Sequence, residues 1–212
     1  MNKHKTILSL FDHSGAWSKP YKDAGYNVIR ADIQDGIDVF EVMEDVIYQV
    51  VEGNEEGIKV TVYGILAAPP CTDFAGSGAW KWKDKETQPA NYDGSKTIEF
   101  ENTVEHSIGM VLATLEIVAQ LKPEGFYVIE NPVGRLNKLV PEVGDPWYFQ
   151  PSDFGDPYTK KTGLYGKFNK PMKTPVLPLF GSEITNRLSS KQKNARSKTP
   201  EGFAQAFFKA NQ

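Results

Sequence analysis

Residues 64–78 read GILAAPPCTDFAGSG. The apolar run over 60–67 has the pattern of a buried strand. Pro69 and Pro70 stop that strand, and Cys71, the single cysteine of the chain, follows at once. Small residues and glycines come next, which predicts a mobile loop after the cysteine. A cysteine at the carboxyl end of a strand in an α/β sheet stands where such folds place their chemistry. The two prolines fix φ and remove two donors, so they would hold the thiol in one orientation. The bland alternative is a buried structural cysteine, because free cysteines are among the most buried residues.

Working outward toward the amino terminus, residues 6–11 (TILSLF) read as a first strand and 12–18 (DHSGAWS) as a turn. A short helix is expected over 19–24, with Ser18 as N-cap, Pro20 in the first turn and Gly25 at its end. Residues 28–31 form the second expected strand, with Asp32 at its carboxyl end. Strand, turn, helix, strand and acid in this order open a nucleotide-binding α/β fold. Ser14-Gly15 is a poor match to GxGxxG as a phosphate cradle. The turn reads better as a loop passing close to an adenosine-type ligand, with Asp32 bonding a ribose hydroxyl.

Toward the carboxyl terminus, apolar spacing predicts a helix over 39–51. Residues 80–100 are polar, with Trp80, Lys81, Trp82, Lys83 and Lys85 close together. They read equally as a solvated loop or as a lid over substrate. Interleaved lysines and tryptophans also suit phosphate contact and base stacking. Ile108, Val111, Leu112 and Leu115, continued by Val118 and Ala119, predict a core-packed helix over 101–121 that Lys122-Pro123 ends. Residues 125–129 (GFYVI) are a further strand, and Glu130, Asn131 and Pro132 stand at its carboxyl end. Apolar neighbours would desolvate Glu130, raising its pKa and making it a proton donor near neutrality. Asn131 can act as an orienting amide. The bland reading is a surface acid in a helix N-cap region, and the pairing of two proline-locked strand ends counts against it.

The chain has 212 residues, 40% hydrophobic and 24% charged, which suits one domain with a sizeable core. A net charge of -3 and a pI near 5.7 do not advertise nucleic-acid binding, although a local basic patch can coexist with an acidic total. One cysteine permits no intrachain disulfide, so a reducing, cytoplasmic compartment is expected. No signal peptide, no stretch of transmembrane length, no membrane partner and no metal site are expected.

Pro69-Pro70-Cys71 and Glu130-Asn131-Pro132, preceded by Phe11-Asp12-His13-Ser14-Gly15, resemble the cytosine-5 DNA methyltransferases in their compact, phage-encoded form. The resemblance implies a doubly wound, Rossmann-like α/β fold that uses S-adenosylmethionine. It assigns Cys71 as the nucleophile and Glu130, supported by Asn131, as the acid at the N3 edge of the base. Phe11, Asp12, Ser14, Gly15, Trp17 and Ser18 would hold the cofactor. Asp32 would meet its ribose with Ile33 alongside, Asp38 its adenine, and Pro69 would complete the site. Residues 151–165 (PSDFGDPYTKKTGLY) resemble the later strand pair of the family, with Lys160, Lys161 and Thr162 where arginines are usual. Pro70, Lys160 and Lys161 would meet substrate. Residues 196–200 (RSKTP), leading into a helix over 202–209, resemble the last motif, which packs beside the cofactor loop.

The resemblance implies one methyltransferase domain over 1–212 that transfers methyl to C5 of cytosine in DNA. Only the short insert 167–194 stands where the family carries a target-recognition domain. Three expectations follow: an enzyme with little sequence preference, one that takes recognition from a protein partner or oligomer, or one with another acceptor, such as a single strand, RNA or a free cytidine nucleotide. A non-catalytic module that binds cofactor or nucleic acid is the remaining alternative.

Overall fold

The structure is a computed structural model that describes residues 2–41, 61–76, 104–181 and 198–212. Most of the helix expected over 39–51, the 80–100 segment and residues 182–194 of the short insert lie outside the described residues. The described strands are β1 (Lys5–Leu10), β2 (Asn27–Ala31), β3 (Thr61–Ala67), β4 (Phe126–Pro132), β5 (Trp147–Phe149) and β6 (Thr162–Lys167). They form one sheet in the order β2-β1-β3-β4-β6-β5. β2, β1, β3 and β4 run parallel, and β6 lies antiparallel between β4 and β5. The described α-helices are α1 (Lys19–Asp23), α2 (Val104–Leu121), α3 (Leu136–Leu139) and α4 (Glu201–Ala210).

β1 and β3 read as near-continuous apolar runs because both faces of the sheet are covered. On one face Leu8, Leu10, Ile65 and Ile129 pack with Val111, Ile117 and Leu121 of α2. On the other, Ile7, Leu66 and Val128 pack with Trp17, Tyr21, Phe203 and Phe207, which belong to the amino-terminal loop, α1 and α4. Helices on both faces make the sheet doubly wound, the expected fold class.

Several local expectations change. Ser18 does not cap α1: its own backbone is already helical (φ -80°, ψ -15°) where a capping residue is extended, and its hydroxyl donates to the Asp12 carboxylate at 2.7 Å. The buried side of α2 is Val104, Ser107, Val111, Thr114, Ile117 and Leu121, whereas Leu112 is 43% exposed. α2 is apolar around most of its circumference, so periodicity could not choose the face. Ser107 and Thr114 are tolerated inside because their hydroxyls donate to Asp73 (2.6 Å) and to the Met110 carbonyl (2.9 Å). By length and composition alone the 18-residue α2 is also long and apolar enough to cross a membrane, contrary to the expectation of no such stretch. Its Val111, Ile117 and Leu121 nevertheless pack on the sheet.

The last helix returns to the start of the chain through aromatic packing. Phe203 stacks on Phe149 with ring centroids 4.0 Å apart and meets Trp17 at 5.9 Å. Phe207 meets Trp17 edge-on at 5.7 Å. Replacing Phe203, which is fully buried, by alanine should cost about 3–5 kcal/mol in urea unfolding. A loss under about 1 kcal/mol would show that α4 does not depend on this seam.

Candidate active site

Cys71 lies four residues beyond β3 and is half-buried, with Pro69 buried and Pro70 exposed beside it. The turn after it is anchored within the described residues, where a mobile loop was expected. Phe74 and Ala75 donate backbone N–H groups to the Cys71 carbonyl at 3.1 and 2.8 Å. Ala75 pairs antiparallel with Gly134, and Gly76 N–H donates to the Val133 carbonyl at 2.8 Å. Arg135 donates from its backbone N–H to the Phe74 carbonyl (2.8 Å) and from Nε to the Asp73 carbonyl (2.9 Å). Ser77 and Gly78 of the expected mobile loop lie outside the described residues, and Gly76 is a site of close backbone approach. A Cβ on Gly134 would stand 1.7 Å from the Phe74 carbonyl oxygen. Gly134, Arg135 and Asp73 were not singled out in the sequence, where only the glycine between Val133 and Arg135 hinted at the contact.

Glu130, Asn131 and Pro132 lie within β4, not beyond its end. β3 stops pairing at Ala67 opposite Ile129, but β6 extends the ladder, with Glu130 opposite Leu164 and Pro132 opposite Thr162. Strand alternation then sends Glu130 and Asn131 to opposite faces. Fully buried Asn131 turns toward the cysteine loop, and its Nδ2 donates to the Pro69 carbonyl at 3.3 Å. The expected orienting amide therefore orients the proline-proline-cysteine segment. Its buried Oδ1 has no donor among the described residues.

Glu130 opens into a small pocket. Lys160 and Thr162 flank it, Lys198, Thr199 and Pro200 close it from the chain entering α4, and Phe149 and Phe203 line it. Burial pushes the Glu130 carboxyl above the usual range, against the pull of the Lys160 ammonium and the Thr162 hydroxyl. Thr162 has one proton and donates it to the Lys160 carbonyl at 2.9 Å. Lys161, one residue on, projects away and lies over the Tyr148 ring at 4.8 Å. The two lysines expected to meet substrate thus point to different places. Lys198 and Thr199 were missed because nothing in the sequence ties residue 198 to residue 130.

The amino-terminal loop is held from several sides. The buried Asp12 carboxylate accepts from Ser9 Oγ (2.9 Å), Ser18 N–H (3.2 Å) and Ser18 Oγ (2.7 Å), and from Ser14 Oγ at 3.4 Å. Arg30, absent from the sequence reading, donates to the Asp12 and His13 carbonyls at 3.2 and 2.8 Å. Phe11 and Gly15 both take positive φ, 59° and 64°. Asp32 is buried and accepts one N–H per oxygen, from His13 (3.1 Å) and Gln34 (2.9 Å). Ile33 beside it is 71% exposed, and Asp38 accepts from Phe40 N–H at 2.9 Å. Trp17 is buried on α4, and its Nε1 has no partner among the described residues. Among the described residues no cluster is placed to hold a metal ion.

Two predictions follow from this geometry. Gly134→Ala should lose about 1–3 kcal/mol in urea unfolding, since backbone and not a movable side chain fills the space; an unchanged midpoint would refute the close contact. Ionising Glu130 is costlier in the folded chain than in the unfolded chain. Stability linked to it is therefore full below the ordinary carboxyl range and lost as pH rises through the elevated folded pKa. The urea midpoint of wild type relative to Glu130→Gln should fall as pH rises from acid toward neutrality, and a flat difference would contradict the upward shift.

No family model matches the sequence, and no curated protein does. Among solved structures, a protein described as a DNA modification methyltransferase encoded within an E. coli prophage is 17% identical, with a TM-score of 0.47 over 81% of this chain and 52% of its own. The DNMT2 of Spodoptera frugiperda is 17% identical, with a TM-score of 0.38 over 76% of this chain and 49% of its own. A methyltransferase of Entamoeba histolytica is 16% identical, with a TM-score of 0.42 over 87% and 60%. This chain thus spans about half the length of the first two. The strand order, with β6 antiparallel between β4 and β5, is that of a mostly parallel, doubly wound α/β sheet that ends in an antiparallel pair.

Proposed function

We propose that the chain is an S-adenosylmethionine-dependent methyltransferase that methylates C5 of cytosine in a nucleic acid, with DNA as the first acceptor to test. We read residues 1–212 as one methyltransferase domain with the short insert 167–194 in place of a recognition domain. The observation that carries this reading is the hydrogen bond from Asn131 to the Pro69 carbonyl. It ties the segment bearing the only thiol to the strand bearing an acid with a raised pKa.

The residues present fit the cofactor. Each Asp32 oxygen accepts a single N–H, so each keeps a lone pair for a ribose hydroxyl. Exposed Ile33 offers apolar surface to an adenine. The loop carrying Phe11, Asp12, Ser14, Gly15, Trp17 and Ser18 would border the methionine part, with Asp38 and Pro69 at the edges. When bound, S-adenosylmethionine supplies an electrophilic methyl group.

The Cys71 thiolate adds to C6 of the base and pushes the ring electrons toward N3, where the Glu130 acid delivers its proton. The ring is now an enamine whose C5 can take the methyl group. Loss of the C5 proton to a base then expels the thiolate, restores the C5–C6 double bond and returns the N3 proton to Glu130. A protonated acid suits the first half of this cycle, and the pocket holds Glu130 in that state to higher pH than water would. A cytosine inside a duplex would have to leave the stack to reach the thiol.

The test is intact mass after incubation with S-adenosylmethionine and a 5-fluorocytosine oligonucleotide, whose fluorine blocks the final elimination. Wild type should gain the mass of oligonucleotide plus methyl, and Cys71→Ser should not. An adduct that persists in Cys71→Ser would sink the mechanism. Adduct with an RNA oligonucleotide but not with DNA would move the acceptor to RNA.

A further inference from the structure

We propose that Tyr148 and Lys161 form a stacking platform beside the cysteine turn, on which an unpaired base of the acceptor strand lies next to the target cytosine. The platform rests on the reading of the acceptor as a nucleic acid, but its test needs binding only and no turnover. Strand register sets its face. Asn131 of β4 stands opposite Gly163 of β6, and Gly163 stands opposite Tyr148 of β5. Side chains paired across a sheet share a face, so Tyr148 leaves the sheet on the side where Asn131 holds the Pro69 carbonyl. Its neighbours Trp147 and Phe149 turn to the other side and pack with Phe203 and Phe207. Tyr148 is 39% exposed, and Lys161 Nζ lies over its ring at 4.8 Å. A Cβ on Gly163 would stand 3.3 Å from the Tyr148 ring, so the bare glycine lets that ring lie against β6. The Lys161 carbonyl accepts from Val133 N–H (3.4 Å), and the Val133 carbonyl accepts from Gly76 N–H (2.8 Å) in the turn after Cys71. Two backbone hydrogen bonds thus connect the platform to that turn.

The chemistry of the occupant follows from this pair. A phenol ring offers a flat face on which every base can stack. The lysine beside it is a flexible point charge with rotatable donors, suited to the phosphate of the same nucleotide. A cation–π contact at an exposed site is weak, so an arriving base takes the ring face and releases the Lys161 ammonium to a phosphate. β5 ends the sheet, and a lysine over an edge strand also discourages strand addition. That task needs no aromatic ring beneath the ammonium. An apolar protein partner would bury the Lys161 charge without supplying an anion, which is costly. Single-stranded DNA and RNA share the required chemistry, a base free of its stack with a phosphate beside it. Bases inside a duplex have both faces covered.

Fluorescence anisotropy tests the platform with a short cytosine-containing strand, made as DNA and as RNA, with a copy whose residues flanking the cytosine are abasic, and with the DNA duplex. Wild type should bind the intact strand more tightly than the abasic copy. Tyr148→Ala should weaken binding of the intact strand about tenfold and of the abasic copy little. Tyr148→Phe should keep wild-type affinity, because the ring and not the hydroxyl is used. Tyr148→Leu, which keeps apolar bulk but no ring, should lose most of what Tyr148→Ala loses and replaces it if the alanine variant does not fold. Lys161→Ala should make the slope of log K on log salt shallower by about 0.7 on a single strand. The strand type that shows the Tyr148 loss, DNA or RNA, is assigned as the acceptor. Equal loss on intact and abasic strands, equal loss on the duplex, or no loss at all would overturn the platform. A Cys71 adduct without any Tyr148 effect would reject the platform and keep the methyltransferase reading. A Tyr148 effect without any adduct would keep the platform and reject that reading.

Discussion

The candidate site depends on one buried hydrogen bond, from Asn131 Nδ2 to the Pro69 carbonyl. Pro69 and Pro70 have no N–H to offer a neighbouring strand, so the segment leaving β3 cannot be held by a ladder. A side-chain amide from β4 takes the place of that ladder. The Ala75–Gly134 bridge and the two Arg135 donors then fix the turn after Cys71 to the segment leaving β4. Ser107 of α2 adds a further tie through Asp73. The thiol and the acid thus belong to one rigid unit although 59 positions separate Cys71 from Glu130.

Electrostatics divides the unit by face. Alternation along β4 sends Asn131 to the side of the cysteine loop and α2, and Glu130 to the side of α4. There Phe149 and Phe203 exclude water, which raises the cost of ionising the carboxyl, and Lys160 recovers only part of that cost. The same aromatic seam runs through Phe203 and Phe207 to Trp17 in the amino-terminal loop. One helix therefore closes the acid pocket and packs against the proposed cofactor loop. That shared helix is a physical route by which the two half-sites could be built together.

Much of this was legible in residue order. Apolar runs bounded by prolines marked β3 and β4, and strand, turn, helix, strand and acid marked the opening of a doubly wound sheet. The candidate reacting groups were picked out in the same way: Cys71 and Glu130-Asn131 each stand close to the carboxyl end of such a run. The loop hub was half legible. Asp12 and Ser18 were chosen, but their bond to one another was not, because a serine before a helix reads as a cap.

Tertiary structure decided what local sequence cannot encode. The face of α2 was undecided because an apolar helix has no distinctive stripe, and only the sheet beneath selects Val111 and Ile117 over Leu112. Over the described residues 71–76 the turn after Cys71 is anchored by contact with Gly134, which residue order alone did not reveal. Lys198 entered the site only when α4 returned across the sheet. By itself the sequence determined the fold class and the candidate reacting groups, since those follow from local pattern and residue chemistry. The fold alone determined how those groups are held and charged, because burial and partners come from residues distant in the chain.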